Sequence, residues 1–293
     1  MTLIVARLFG GLGNQMFQYA AARALALRTG AELRLDLTDF AADARRRYEL
    51  GDFPIAAVPA SAADLRRFGL SGRPMAWRWR RWLRLLAGPS IEPMRRQPHF
   101  HFDPTIVALR PPVYLDGYWQ SERYFADHAE TLRRELQPPG PLDLASAAVA
   151  AEIDAVNAVS VHVRRGDYVS DPRTNRYHGI CSPDYYRRAL AHVGARVDHP
   201  HLFVFSDDPQ WCRDNLRFDL PMTIVDANPP DRGHRDLQLM ARCRHHVLAN
   251  SSFSWWGAWL DAARDKIVVA PARWFSTPRN DTRDLTPPAW VRL

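Results

Sequence analysis

The chain reads as an α/β protein built on parallel sheet, and three observations predict this. A strand-like run at residues 3–9 gives way to glycines and then to an alanine- and leucine-rich stretch at 15–28. Short apolar runs, many of them β-branched, recur at 159–163, 202–205, 222–225, 246–248 and 267–269. Helical patterns fill the gaps at 183–193, 209–216, 236–242 and 253–262. Strands that alternate with helices need crossover connections, which produce a mostly parallel sheet. The second half is therefore a Rossmann-type α/β domain.

Taken in order, the first helix should stop at Gly30, since glycine commonly follows a helix end. A short strand pattern at 32–36 completes the opening of an α/β layer. Residues 40–112 are rich in proline and mixed charge, and they read as helical insertions. Order returns with an apolar run at 113–115 and a helix expected over 121–136. Pro138-Pro139-Gly140-Pro141 breaks it. That break divides the chain into an N-terminal α/β domain, 1–140, and a C-terminal Rossmann-like domain, 141–293. No internal repeat or low-complexity tract is evident.

With 293 residues, 46% hydrophobic and 24% charged, the chain has ample sequence to bury a core, which excludes intrinsic disorder and collagen-like repeats. Cys181, Cys212 and Cys243 are widely spaced without a CxxC pair, so they read as reduced thiols of a cytoplasmic-type protein, with no zinc framework. No run reaches the about 18 apolar residues of a membrane span. The opening MTLIVARLF runs into glycines without a basic leader, so it reads as a first strand and not a signal peptide. The net charge is +7, and Lys266 is the single lysine among 39 basic residues. A noncatalytic binder of polyanions is one reading of this excess. It lacks a recognition helix, an RNA-binding motif or a dense basic tract, so no nucleic-acid partner is expected.

In open α/β sheets ligands bind beyond the carboxyl ends of the strands. Those ends carry His162-Val163-Arg164-Arg165-Gly166-Asp167-Tyr168, then Ser206-Asp207-Asp208, Asp226, and Asn250-Ser251-Ser252-Phe253-Ser254. Alternation along the first of these strands places Ser160, His162 and Arg164 on one face. Buried there, the histidine and arginine would want anionic partners. A diphosphate gripped by a guanidinium fork is one possibility. The other is a structural ion pair of Arg164 or Arg165 with Asp167 or Asp207. Likewise, Asn250-Ser251-Ser252-Phe253 precedes a helix, where capping serines and free amides make an anion site. The plainer alternative is an N-cap with Phe253, Trp255 and Trp256 packed in the core. The loop Gly10-Gly11-Leu12-Gly13-Asn14-Gln15 matches neither the P-loop nor the GxGxxG pattern, and says only that backbone approaches something closely.

Together, GGLGNQMFQYA at 10–20, HVRRGDY at 162–168, FSDDP at 205–209 and NSSFSWWGAWL at 250–260 resemble the bacterial α-1,2-fucosyltransferases of glycosyltransferase family 11. The resemblance implies a GT-B-like architecture, two Rossmann-type domains facing a cleft. It implies inverting transfer of L-fucose from GDP-fucose to the 2-hydroxyl of a terminal galactose in a glycan, without a metal or other cofactor. By the same resemblance Arg164 clamps the β-phosphate and His162 lies beside the nucleotide. Asp207 belongs to the donor site within FSDDP, and Asp236 partners the guanine. Asn250, Ser251, Ser252 and Phe253 line the diphosphate and sugar pocket, and Gly11, Gly13 and Asn14 meet the donor from the other domain.

On that reading a carboxylate takes the acceptor proton, with Asp167 the first choice and Asp171 the second. A transferase of related fold with another donor or linkage is the rival within the class. The run at 77–86, with Trp79, Trp82, Leu83 and Leu86 at helical spacing between arginines, suits either an interfacial helix on anionic lipid or a packed helix with a solvated arginine face. The first alternative gives a cytoplasmic protein with peripheral membrane contact.

Overall fold

The computed structural model describes residues 2–43, 46–70, 92–138, 140–277 and 280–293. The tryptophan- and arginine-rich run at 77–86 lies outside them. The chain divides into two compact units, one comprising Met1–Gln137 with Asp281–Leu285, the other Pro138–Asn280 with Thr286–Leu293.

The first unit is built on a five-stranded sheet. Its strands are β1 (Leu3–Arg7), β2 (Glu32–Asp36), β3 (Val58–Pro59), β4 (Met94–Arg96) and β5 (Val113–Asp116), in the order β3-β2-β1-β5-β4. Every pairing is parallel. The helix Leu12–Thr29 follows β1 and is buried around most of its circumference. Gly30 ends it in the left-handed region at φ 65°, where its N–H donates to the Ala26 carbonyl. Two buried glutamines fix the loop before it. Gln18 brackets Phe9, accepting from its N–H at 3.0 Å and donating to its carbonyl at 3.3 Å. Gln15 donates to the carbonyls of Gly10 at 2.9 Å and Arg47 at 2.8 Å.

The region expected to hold helical insertions also supplies β3 and β4. At two and three residues these strands are too short to show an alternating pattern. The helix expected over 121–136 is broken into 3-10 turns at Glu122–Tyr124 and Ala126–His128 and a helix at Ala129–Glu135. The backbone of Phe125, at φ −146° and ψ 7°, interrupts it. Tyr124 and Phe125 are both buried there. Helical periodicity has yielded to the burial of two adjacent aromatic rings.

The second unit carries a six-stranded, all-parallel sheet. Its strands are β6 (Asn157–Val163), β7 (Pro200–Ser206), β8 (Met222–Val225), β9 (His245–Val247), β10 (Val268–Ala270) and β11 (Val291–Arg292), ordered β11-β10-β9-β6-β7-β8. The expected strands and helices of this half are present, with ends displaced by at most three residues. The helix Pro183–Gly194 covers one face, packing Tyr185, Tyr186, Ala189 and Val193 on β6, β7 and β9. The other face, with Phe203 and Phe205, packs with Leu239 and Met240 of the helix Gly233–Arg242. A doubly covered parallel sheet explains why these strands read as continuous apolar runs. Two parallel-sheet α/β units make the fold of the GT-B type.

Beyond β5 the chain makes a tight, strained turn. Trp119 is buried and has φ 55°, a left-handed conformation unfavourable for a bulky side chain by roughly 1–3 kcal/mol. At Gly117 a Cβ would lie 2.5 Å from Gln97 Cβ and 2.9 Å from the Trp119 ring. Gly117→Ala is therefore expected to destabilise the first unit by about 1–3 kcal/mol. Urea denaturation followed by tryptophan fluorescence checks this, and an unchanged midpoint would contradict the packing argument.

Candidate active site

The tip of β6 is tied to the tip of β7 by one carboxylate. Asp207 Oδ1 accepts from the Arg165 backbone N–H at 2.8 Å, and Oδ2 pairs with the Arg164 guanidinium at 2.9 Å. A Cβ at Gly166 would lie 2.3 Å from that same Oδ2, so the carboxylate fills the space of a missing side chain. Ser206 donates to the Val163 carbonyl and accepts from the Asp208 N–H. Asp208 caps the helix Pro209–Asn215 by accepting from Trp211 N–H at 3.1 Å, and it pairs with Arg165 at 3.3 Å. The Arg165 guanidinium lies over the Trp211 ring, 3.7 Å from its centroid. The ion-pair alternative for these arginines is thus realised, with Asp207 and Asp208 as partners. It holds Arg164 at the strand tip with its side chain still 24% exposed.

His162 departs from expectation. It is buried, and burial together with the neighbouring Arg164 lowers its pKa to about 3. It is a neutral imidazole at physiological pH and needs no anion. Its Nδ1 has no hydrogen-bond partner among the described residues. Its ring lies 5.7 Å from Phe253 at 44°. Below it on the same face, the Ser160 hydroxyl lies 2.8 Å from His246 Nδ1, and His246 Nε2 lies 3.2 Å from Asp261. The carboxylate requires a proton on Nε2, so Ser160 donates to Nδ1.

The β9 end is equally structured. Asn250 donates from its side-chain amide to the carbonyls of His178 at 3.0 Å and of Gly179 and Trp274 at 3.2 Å. Its amide nitrogen joins three loop carbonyls. The Asn250 carbonyl accepts from the Tyr168 hydroxyl at 3.3 Å, and Arg164 lies over the Tyr168 ring at 5.3 Å. Ser251 caps the helix Ser252–Leu260, accepting from Phe253 N–H. Trp255 and Trp256 are fully buried, as the plainer reading of this motif requires. Ser252 and Phe253 form the helix's first turn, half-buried. A Cβ at Gly233 would lie 3.7 Å from the Phe253 ring, which places the start of the helix Gly233–Arg242 beside it.

Asp236 sits in that helix's first turn. Burial raises its pKa to about 6, partly offset by a hydrogen bond from Asn228 at 2.8 Å. Asn228 in turn accepts from the Ser146 hydroxyl. The structure thus gathers His162, Arg164, Asp207, Ser251, Phe253 and Asp236 at one rim of the second sheet. Asp226, at the end of β8, instead pairs with Arg213. Asp171 caps the helix Pro172–His178, accepting from Arg173 N–H at 2.9 Å and from the Thr174 hydroxyl at 3.1 Å. The Asp167 backbone lies in the helix Gly166–Ser170, and its side chain falls outside the described residues.

In the first unit, Gly11 precedes the helix Leu12–Thr29 without a side-chain cap, and Asn14 accepts from Gln120 at 2.7 Å. The sequence places Arg165 and Tyr168 at the strand tip but gives no sign of the Tyr168 ring under Arg164, the Trp211 platform under Arg165, or Asn228. Tyr168 and Trp211 sit within or beside quoted motifs, whereas Asn228 carries no pattern.

The model of glycosyl transferase family 11 matches residues 98–293. The chain belongs to that family. It is similar to an Escherichia coli alpha-1,2-colitosyltransferase, 33% identical over 307 residues covering 100% of this chain and 99% of the relative. The O-antigen biosynthesis glycosyltransferase WbnK of Escherichia coli is 30% identical over 98% of this chain and 99% of its own length. Human galactoside alpha-(1,2)-fucosyltransferase 1 is 26% identical over 89% of this chain and 66% of its own length. Among solved structures, Arabidopsis thaliana FUT1 in complex with GDP superposes with TM-score 0.53 at 11% identity, over 98% of this chain and 74% of that one. This last likeness is one of fold. The family 11 chain is thus a glycosyltransferase with α-1,2-fucosyl-type relatives.

Two outcomes follow from this geometry. Asn250→Ala strips three loop carbonyls, that of Trp274 buried, of their donor and should destabilise the second unit by about 2 kcal/mol, read by urea denaturation. For Asp236, the folded pKa near 6 lies above the ordinary value of 3.8, so stability falls as pH rises between them. Asp236→Asn should flatten that slope and raise the melting temperature at pH 7, as scanning calorimetry across pH 4–7 would reveal.

Proposed function

We propose that this family 11 enzyme transfers L-fucose from GDP-fucose to the 2-hydroxyl of a terminal galactose in a glycan, with inversion and without a metal. The observation that carries the reading is the guanidinium of Arg164, fixed by Asp207 at the tip of β6 and still partly exposed. Breaking the fucose–phosphate bond builds negative charge on the departing GDP and oxocarbenium character on the sugar. Arg164 and the amides that open the helix Ser252–Leu260 supply fixed positive potential to the diphosphate. A divalent ion has no role in this scheme, so EDTA should leave turnover unchanged.

Asp236 is suited to guanine, whose N1–H and exocyclic amine present two parallel donors to one carboxylate. Neutral His162, with its unpartnered Nδ1, borders the nucleoside beside Phe253. The acceptor hydroxyl attacks from the face opposite the diphosphate. By its position just past the tip of β6, Asp167 takes the proton in this reading, with Asp171, which also caps the helix Pro172–His178, the second choice.

Arg164→Lys keeps the charge and loses the fork, so turnover should fall roughly 100–1000-fold while the melting temperature holds. Near-normal kcat in that variant would remove Arg164 from the phosphate role. GDP affinity should weaken as pH falls below about 6, where Asp236 gains its proton, and calorimetric titration at pH 5 and 7 measures this. The 33%-identical colitosyltransferase favours a second reading, transfer of the 3-deoxy analogue of fucose. Side-by-side kcat/KM for GDP-fucose and GDP-colitose with lactose as acceptor separates the two, and linkage analysis of the product tests the 2-hydroxyl.

A further inference from the structure

We infer that the turn after β5, with the Tyr118 ring at its tip, is a subsite for a neutral pyranose of the acceptor glycan. The inference deepens the transferase reading and rests on it for naming the ligand as acceptor sugar. Its starting point is the strained Trp119, a buried tryptophan at φ 55°. A residue so bulky stays in that conformation only where its surroundings dictate it. Here they do. Gln97 Oε1 accepts from two successive backbone N–H groups, Tyr118 at 2.8 Å and Trp119 at 3.2 Å. The Trp119 ring stands edge-on to Tyr124 at 5.7 Å and 84°. Gly117 leaves no space for any side chain.

The consequence of that strain is the placement of Tyr118. While Trp119 turns inward, Tyr118 is left 40% exposed at the carboxyl end of β5, next to central β1. Its ring is not loose, because it meets Phe9 at 4.8 Å and 67°. A tyrosine fixed in this way offers a large contact area and loses little rotamer entropy on binding. The C–H face of a pyranose is the complementary surface, apolar across its face and polar at its edge.

The surrounding groups suit hydroxyls. The Gln120 amide, hydrogen-bonded to Asn14, is two residues along the chain. The Gln97 loop continues to His99, an exposed ring stacked on His101 at 3.6 Å and 7°. Charge argues for a neutral ligand. Arg7, which stacks on Phe9, is already matched by Asp39 at 2.6 Å and Asp116 at 2.8 Å.

The test compares wild type, Tyr118→Ala and Tyr118→Phe in two measurements. Saturation-transfer NMR with lactose and methyl β-galactoside needs neither donor nor turnover. Acceptor KM is then read at saturating GDP-fucose. Tyr118→Ala should lose saturation transfer and raise acceptor KM about tenfold or more, with GDP affinity within twofold of wild type. Tyr118→Phe, which keeps the stacking face, should restore both. Transfer with an acceptor KM indifferent to Tyr118→Ala overturns the subsite and leaves the transferase reading intact. Lactose binding that depends on Tyr118 in a chain unable to use either GDP-fucose or GDP-colitose overturns the transferase reading and leaves a sugar site. Wild type that gives no saturation transfer with either probe also overturns the subsite.

Discussion

The second unit's site depends on a single carboxylate. Asp207 contacts the Arg165 amide and the Arg164 guanidinium and fills the space a Cβ would take at Gly166, so it fixes backbone, charge and close approach at once. An arginine at the end of a strand has many rotamers, and ordering such a side chain disfavours binding by about 1.5–2 kcal/mol. Ordering it beforehand against Asp207 removes that penalty from the encounter with an anion. The same pairing screens the guanidinium, so part of its potential is directed at the carboxylate. Arg165 is treated differently. Sandwiched between Asp208 and the Trp211 ring, it braces the loop and leaves Arg164 as the more exposed cation.

Around this anchor the buried polar groups form a graded series. Ser160, His246 and Asp261 make a closed chain of hydrogen bonds within the sheet's core, and each role in it is satisfied. The hydroxyls of Tyr185 and Tyr186 reach from the covering helix to carbonyls of Leu248 and His162. Burial holds both phenols well above their ordinary pKa, so they stay protonated and remain donors. One residue nearer the rim, His162 is buried but incompletely paired, and beyond it Arg164 is partly solvated. Polar satisfaction thus loosens along one strand face toward its carboxyl end. That is the direction in which a ligand would complete it.

Much of this was legible in the sequence, and the exceptions share causes. The strands of the second half announce themselves because a parallel sheet covered on both faces demands unbroken apolar runs. β3 and β4 do not, because pairing of two or three residues depends on neighbours rather than on pattern. Strand alternation alone makes His162 and Arg164 look equally in need of an anion. A histidine escapes burial by losing its proton, whereas a guanidinium cannot, so only Arg164 keeps the demand for a counter-charge. Asn250 sits in the most distinctive motif of the chain, yet its amide closes three loop carbonyls. Structural necessity accounts for such a residue as readily as chemistry does.

The two sheets differ in what they present beyond their strands. The second offers a fixed cation, helix amides and a carboxylate poised near pH 6, all of which respond to charge. The first offers an immobilised tyrosine ring and amide side chains, which respond to shape and hydroxyl geometry. A nucleotide sugar is an anion with a conserved form, and a glycan acceptor is neutral and varied. Groups of the first kind lose strength with ionic strength and shift with pH, while stacking and neutral hydrogen bonds do neither. If the proposed donor and acceptor sites hold, salt and acid should then weaken the donor's affinity while sparing the acceptor's, because the charges proposed for the donor stand on a different sheet from the ring proposed for the sugar.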